Sequence, residues 1–307
     1  MQYDVIVIGG SYAGMAATLQ LVRAHKSVLV IDAGERRNRF ASYSHGFLGQ
    51  DGVDPGKIAE QARCQLETYP TLSWLEDKAV SVSGKMDGFT VTTANSKFHH
   101  GRRILLAIGV ADQLPPVAGL AERWGKAVFH CPYCHGYELG KGRIGVIATG
   151  PMSLHQATFL TEWGEVTLLV NGAMSLGVDT RSDLESRSVV IEDMTIDRIV
   201  GNAEVRLADG RLLNFAGLFT AAPCIPSSSL AKTMGCELEA TPMGLQVRID
   251  ADNKTSIPGI FACGDVARVP HSVSLAVGSG AWAGAQIHRS LFAPETAYNM
   301  QRADSAL

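Results

Sequence analysis

The stretch His130-Cys131-Pro132-Tyr133-Cys134-His135-Gly136 carries the most chemical information in this sequence of 307 residues. Two thiols separated by two residues can close a disulfide or supply half of a tetrahedral zinc site. Zinc would require two further ligands, and although His130 and His135 flank the pair, the chain has no second closely spaced cysteine pair. A pair that only packs is a third reading, because thiols are often buried as small apolar groups. The proline between the cysteines and the histidine beside them favour reactivity. An imidazole with an ordinary pKa of about 6.5 can take a thiol proton and return it near neutral pH. That makes His135 a candidate acid/base, against the plainer reading of a surface histidine. No metal site is expected. Cys64, Cys224, Cys236 and Cys263 are read as structural thiols outside the reactive pair.

A redox dithiol needs something with which to exchange electrons, and the N-terminus offers a place to hold it. Val5 to Ile8 reads as a buried strand, Gly9-Gly10-Ser11-Tyr12-Ala13-Gly14 as a tight turn, Met15 to His25 as a helix and Val28 to Asp32 as a second, parallel strand. A helix N-terminus presents unbonded N–H groups and the positive end of its dipole, so a turn without bulky side chains suits a pyrophosphate. Gly9, Ser11 and Gly14 fill the three fingerprint positions, with Ser11 adding a Cβ where glycine is usual. Asp32, 18 residues beyond Gly14, ends the next strand where a carboxylate can accept hydrogen bonds from ribose hydroxyls. The plain alternative is a tight turn beside a surface aspartate.

A similar unit begins 139 residues later: Ile144 to Ile147 leads into Ala148-Thr149-Gly150-Pro151-Met152-Ser153, a helix-like Leu154 to Trp163 and the strand Val166 to Val170. Each unit continues into β-rich sequence and a strand ending in small residues, Leu105 to Gly109 in the first and Leu218 to Ala222 in the second. A short strand around Ile260 and a helix from Ser272 to Leu291 close the chain. The expectation is an α/β protein of two Rossmann-like, three-layer nucleotide-binding domains, the second inserted into the first. Residues 1–114 and 246–307 form the outer domain, and residues 115–245 form the insert that carries the dithiol.

Composition narrows the partners. With 27 Lys plus Arg against 30 Asp plus Glu the net charge is −3, and no run of like charges points to nucleic acid or a membrane surface. No apolar run reaches the ~18 residues of a membrane span, and the start MQYDVIVIGG lacks the charged and apolar regions of a signal peptide. Six cysteines are too few for a secreted disulfide scaffold of this length. A cytoplasmic protein is expected.

Taken together, the N-terminal fingerprint, the central CPYC dithiol and the late Cys263-Gly264-Asp265-Val266 segment resemble the low-molecular-weight thioredoxin reductase family across nearly the whole chain. The resemblance implies an FAD-dependent disulfide oxidoreductase, a homodimer, with Gly9, Ser11, Gly14 and Asp32 on the ADP half of FAD. Gly264, Asp265 and Val266 would meet the ribitol and flavin, and Cys131 and Cys134 would face the flavin. The form CPYCHG, with His135 where the reductases usually have an acid, is similar to the branch of gliotoxin oxidase and related dithiol oxidases, so His135 inherits the acid/base role. The implied partner is a dithiol or disulfide, either a small molecule or a thioredoxin-like protein.

The insert departs from that pattern. Its fingerprint positions hold Ala148, Gly150 and Ser153, and Pro223 follows the strand where glycine is usual. The loop after Val170 is Asn171-Gly172-Ala173-Met174-Ser175, where NADPH-dependent members place arginines for the 2′-phosphate, and no Lys or Arg occurs from Ile144 through Thr180. NADPH is therefore a doubtful electron donor, and oxygen, ferredoxin or a second flavin are the alternative electron partners. An NADPH-dependent thioredoxin reductase and a flavin-binding redox sensor are the competing functions.

Overall fold

The computed structural model describes residues 2–292. The chain begins with β1 (Gln2–Ile8), α1 (Tyr12–Arg23), β2 (Val28–Asp32), α2 (Pro55–Glu67), β3 (Leu72–Glu76), β4 (Ala79–Lys85), β5 (Gly88–Thr93) and β6 (Phe98–Leu106). These strands lie in the order β3-β2-β1-β6-β5-β4. β1, β2, β3 and β6 pair in parallel, while β4, β5 and β6 form an antiparallel meander. Val5, Ile6 and Val7 are fully buried, as expected of an interior parallel strand covered on both faces.

The chain continues through β7 (Val110–Asp112) into β8 (Val128–Phe129), α3 (Pro132–His135), β9 (Arg143–Ile147), α4 (Met152–Leu160), β10 (Glu165–Leu169), α5 (Val178–Ser186) and β11 (Val190–Glu192). An antiparallel group follows, β12 (Ile196–Val200), β13 (Glu204–Leu207) and β14 (Leu212–Asn214), and then β15 (Gly217–Thr220). The second parallel sheet runs β11-β10-β9-β15-β8. Phe129, Ile144, Val146, Leu160, Leu168 and Phe219 pack one of its faces. Leu120, Ile147, Leu169, Val205 and Leu218 pack the other, beneath the antiparallel group.

β16 (Cys224–Pro226), α6 (Leu230–Thr233), β17 (Leu238–Thr241), β18 (Gly244–Val247), β19 (Ile260–Ala262) and α7 (Val273–Phe292) complete the described residues. β19 adds to the first sheet alongside β6, in parallel. The glycines of α7 are ones that helix propensity alone would disfavour by ~1 kcal/mol each relative to Ala. Gly280 and Gly284 are contact points: a Cβ on Gly280 would sit 2.1 Å from the carbonyl oxygen of Ala13, and one on Gly284 2.5 Å from that of Ala17. α7 therefore lies backbone-close against α1.

The expected α/β architecture with two parallel nucleotide-fold sheets is what the chain forms. The compact units divide elsewhere than the sequence suggested. Among the described residues, one comprises residues 2–37, 56–111 and 225–292, the other residues 38–55 and 112–224. Two physical reasons account for the difference. Leu230, Ala231, Cys236 and Val247, expected in the insert, are buried with Ile6, Leu29 and Ile104 in the core of the first unit. Residues 38–55, expected in the outer domain, pack with the second unit, where Phe40 fills the space a Cβ on Gly125 would need.

Candidate active site

Cys131 leaves extended backbone (φ −107°, ψ 117°) and caps α3, whose first residue is Pro132, a position where the missing N–H costs nothing. The turn brings the Cys134 Sγ to 2.9 Å from the Cys131 Sγ. Both residues are only half-buried, which does not suit a pair that merely fills core space. Among the described residues no set of three or more His, Cys, Asp or Glu side chains converges as metal ligands.

The turn is held from several sides of its own unit. The Gln156 side-chain amide donates to the His130 carbonyl oxygen at 2.9 Å. Tyr133 packs edge-on against Phe159 and Trp163, with centroids 5.7 Å and 5.4 Å away. Gly136 lies so close to Trp163 that a Cβ would come within 2.5 Å of the indole Cδ1. The glycine of the motif is thus a packing requirement rather than a conformational one.

His135 stacks on Phe129 with ring centroids 4.3 Å apart and planes 23° from parallel. Burial pushes its pKa down to about 4; the carboxylate of Glu138 opposes that shift and His45 adds to it. The resting imidazole is therefore neutral. His45 in turn stands between two carboxylates, its Nε2 3.5 Å from Glu138 Oε1 and its Nδ1 3.6 Å from Asp51 Oδ1. The sequence reading did not find Glu138 or His45. Glu138 follows His135 by three residues, a helical spacing that could have flagged it. His45 carried no signal, because it joins the site only through the packing of residues 38–55.

In the first unit, the β1–α1 turn has the properties a dinucleotide needs. Ser11 caps α1 with extended backbone and makes no side-chain cap, so the first-turn N–H groups keep their lack of intrahelical acceptors. Gly9 adopts φ +105°, and a Cβ there would lie 2.3 Å from the Ala107 carbonyl oxygen. A Cβ on Gly14 would lie 1.9 Å from the Gly9 carbonyl oxygen, so this glycine is what lets helix and strand approach. Asp32 Oδ1 accepts the Gly10 N–H at 3.1 Å, which fixes the carboxylate at the strand end. Cys263 leads into a short turn at Gly264 (φ +74°), Asp265 and Val266, and the Gly264 N–H donates to Ser279 Oγ at 3.1 Å. Asp265 is gripped by Arg37 at 3.2 Å, and the same guanidinium nitrogen lies 2.8 Å from His271 Nδ1. Arg37 and His271 are further residues of this region that the sequence reading passed over. The residues expected at the ADP half of FAD, Gly9, Ser11, Gly14 and Asp32, thus share one open turn and strand end, and those expected at its ribitol and ring, Gly264, Asp265 and Val266, share a second turn. When bound there, FAD supplies a two-electron acceptor.

The β9–α4 turn of the second unit is different. The Thr149 N–H is taken by Ser153 Oγ at 2.9 Å, the Ser153 N–H by the Gly150 carbonyl and the Leu154 N–H by the Pro151 carbonyl. Pro151, at the cap, has no N–H to offer. Beyond β10, Asn171 Oδ1 accepts the Ile196 N–H at 2.8 Å. Arg181 is paired with Asp193 at 2.6 Å and Arg187 with Asp183 at 3.1 Å.

Residues 3–280 match the family described as pyridine nucleotide-disulphide oxidoreductase. The chain is 33% identical over 308 residues to thioredoxin reductase tcpT of Claviceps purpurea, covering 94% of each. It is 25% identical to a thioredoxin reductase of Listeria innocua, covering 92% of each. Its fold superposes with a TM-score of 0.93 on an oxidoreductase from Agrobacterium tumefaciens, at 52% identity over 96% of this chain and 100% of that one. The protein belongs to the pyridine nucleotide-disulphide oxidoreductase family and is a thioredoxin reductase-like, FAD-dependent disulfide oxidoreductase. Among the described residues no helix is long and apolar enough to cross a membrane.

Proposed function

We propose that the protein moves two electrons between FAD and the Cys131/Cys134 pair, and between that pair and an external dithiol or disulfide, with an electron partner other than NADPH. The exchange with substrate runs by thiolate attack through a mixed disulfide. In the oxidising direction one substrate thiolate attacks a sulfur of the enzyme disulfide, the S–S bond breaks and the departing sulfur takes a proton. The second substrate thiolate then closes the substrate disulfide and releases the enzyme dithiol. His135, neutral at rest through burial, is the group we assign to hold and return these protons.

The observation that carries the NADPH part of the reading is the state of the second unit's nucleotide turn. The Thr149, Ser153 and Leu154 amides there are turned back on the chain, and Arg181 and Arg187, the first two cations in sequence after the β10 loop, are already held by Asp193 and Asp183. Oxygen, ferredoxin or a second flavin then takes or supplies the electrons, and a homodimer is the assembly proposed. Anaerobic titration of the bound flavin with NADPH, NADH and dithionite tests this. Bleaching by dithionite but not by stoichiometric NADPH is the expected result, and full bleaching by one equivalent of NADPH would make the protein an NADPH-dependent reductase.

A further inference from the structure

Oxidation of the reduced pair sets a problem in proton disposal. When the Cys131–Cys134 S–S bond forms, two S–H bonds break; two electrons and one proton pass to the flavin, and the second proton must leave the dithiol. His135 is the nearby base, but its ring is stacked on Phe129 and largely shielded from water. A proton held there needs a way out.

The second unit holds groups that could supply one. Gly136 continues the helical path of α3 (φ −73°, ψ −35°) into the short turn Tyr137–Leu139, so His135 and Glu138 are three residues apart on one helical face. Glu138 Oε1 faces His45 Nε2 at 3.5 Å, and the opposite ring nitrogen of His45 faces Asp51 Oδ1 at 3.6 Å. His45 itself is mostly covered, its side chain 18% exposed, whereas Glu138 and Asp51 are 43% and 69% exposed. An imidazole with a carboxylate at each nitrogen can accept a proton on one side and release it on the other. We infer that Glu138 and His45 form a proton relay that links His135 to Asp51 and solvent. The inference rests on the dithiol reading above and adds to it the path by which the second proton leaves.

Both residues act through His135, so they are positioning residues and not groups that touch the sulfurs. Among the described residues, the charges acting on His135 are Glu138, which holds its pKa up, and His45, which holds it down. Their removal should therefore move His135 in opposite directions, a signature that simple damage to the fold would not produce.

Two measurements on the FAD-loaded protein test the relay. Without any substrate, NMR titration of 15N-histidine-labelled protein should place the His135 midpoint lower in Glu138→Gln than in wild type and higher in His45→Gln. With dithiothreitol as the reductant, stopped-flow reduction of the flavin at pH 7 should slow about tenfold or more in both variants, as expected when one step of general acid–base transfer is impaired. Glu138→Asp, which keeps the carboxylate, should recover most of the rate. Unmoved His135 midpoints, or wild-type rates in both variants while His135→Ala is slow, would overturn the relay. A wild-type protein whose flavin dithiothreitol cannot reduce would instead sink the dithiol reading, and the histidine titration would still decide the coupling among the three groups.

Discussion

The Sγ atoms of Cys131 and Cys134 face each other at 2.9 Å across a turn that begins at Pro132, with Tyr133 between them packed onto Phe159 and Trp163. The sulfurs need only a small approach to bond, and the aromatic packing keeps the intervening residue from swinging out. Cys131→Ser and Cys134→Ser should each abolish dithiol turnover while leaving the yellow FAD spectrum intact. Thiol counting on the denatured protein before and after reduction should recover two more thiols from the oxidised wild type than from either variant. Wild-type turnover in either variant would end the proposal.

Gly136 is the second lever on this turn. Gly136→Ala keeps a helical backbone, yet its Cβ would lie 2.5 Å from Trp163 Cδ1 and 2.7 Å from the Pro132 carbonyl oxygen. The turn must shift to relieve both contacts, and small displacements of reacting groups can cost about 10²-fold in rate. We expect kcat with dithiothreitol to fall by that order, with FAD occupancy unchanged. Wild-type kcat in the alanine variant would show that the packing is not what positions the sulfurs.

At the first unit's turn, Gly14→Ala should lose FAD, because a Cβ 1.9 Å from the Gly9 carbonyl oxygen forces α1 away from the strand. Ser11→Gly should bind FAD at least as well as wild type, since Ser11 sits at an extended cap and its side chain makes no cap bond. The ratio of flavin to protein absorbance after purification reads both outcomes. An alanine variant with full FAD occupancy would remove Gly14 from the site.

Local pattern and chemistry made much of this molecule legible in the sequence. The run Val5 to Ile8, the turn from Gly9 to Gly14 and the terminal Asp32 form one contiguous unit whose parts constrain each other, and they fold as expected. The closeness of the Cys131 and Cys134 sulfurs was legible for the same reason, since both lie in one short turn. What the sequence hid depends on distant packing. Residues 38–55 carry no sign that they fold with the second unit, so His45 could not be connected to His135. Leu230 and Val247 look like ordinary apolar residues whichever core takes them, which is why the compact units divide elsewhere than the sequence suggests. Gly280 and Gly284 of α7 read as helix weaknesses until α1 is seen lying against them.

The pKa of about 4 at His135, caused first by burial, has a consequence for stability. An unfolded chain binds the proton below about pH 6.5 while the folded chain resists it until about pH 4, so stability is complete above pH 6.5 and falls as the pH drops through that window. The full shift corresponds to ~3 kcal/mol. His135→Gln should flatten the acid limb of a urea-denaturation series between pH 6.5 and 4, at constant FAD saturation. An unchanged slope in that variant would mean that His135 titrates normally.

The sharpest expectation concerns NADPH. Its 2′-phosphate carries close to two negative charges at neutral pH and is commonly held by guanidinium forks in bidentate fashion. The loop after β10 offers Asn171, whose Oδ1 already accepts the Ile196 N–H, while Arg181 and Arg187 are paired with Asp193 and Asp183. Breaking an exposed pair costs little, about 0 to 1 kcal/mol, so the ion pairs alone would not stop an arginine from turning to a ligand. The stronger obstacle is the β9–α4 turn, where the Thr149, Ser153 and Leu154 amides are bonded within the chain and Pro151 has none. A pyrophosphate there would have to displace those bonds. Two absent charge-assisted bonds at ~1.5 to 3 kcal/mol each weaken NADPH by about two to four decades. NADH, which lacks the 2′-phosphate, escapes that loss but meets the same closed turn, so both should reduce the flavin poorly, with NADH no worse than NADPH. Anaerobic stopped-flow mixing with each nucleotide reads the flavin directly. Bleaching by NADPH at tens per second with micromolar saturation would mean that the second unit holds the nucleotide after all.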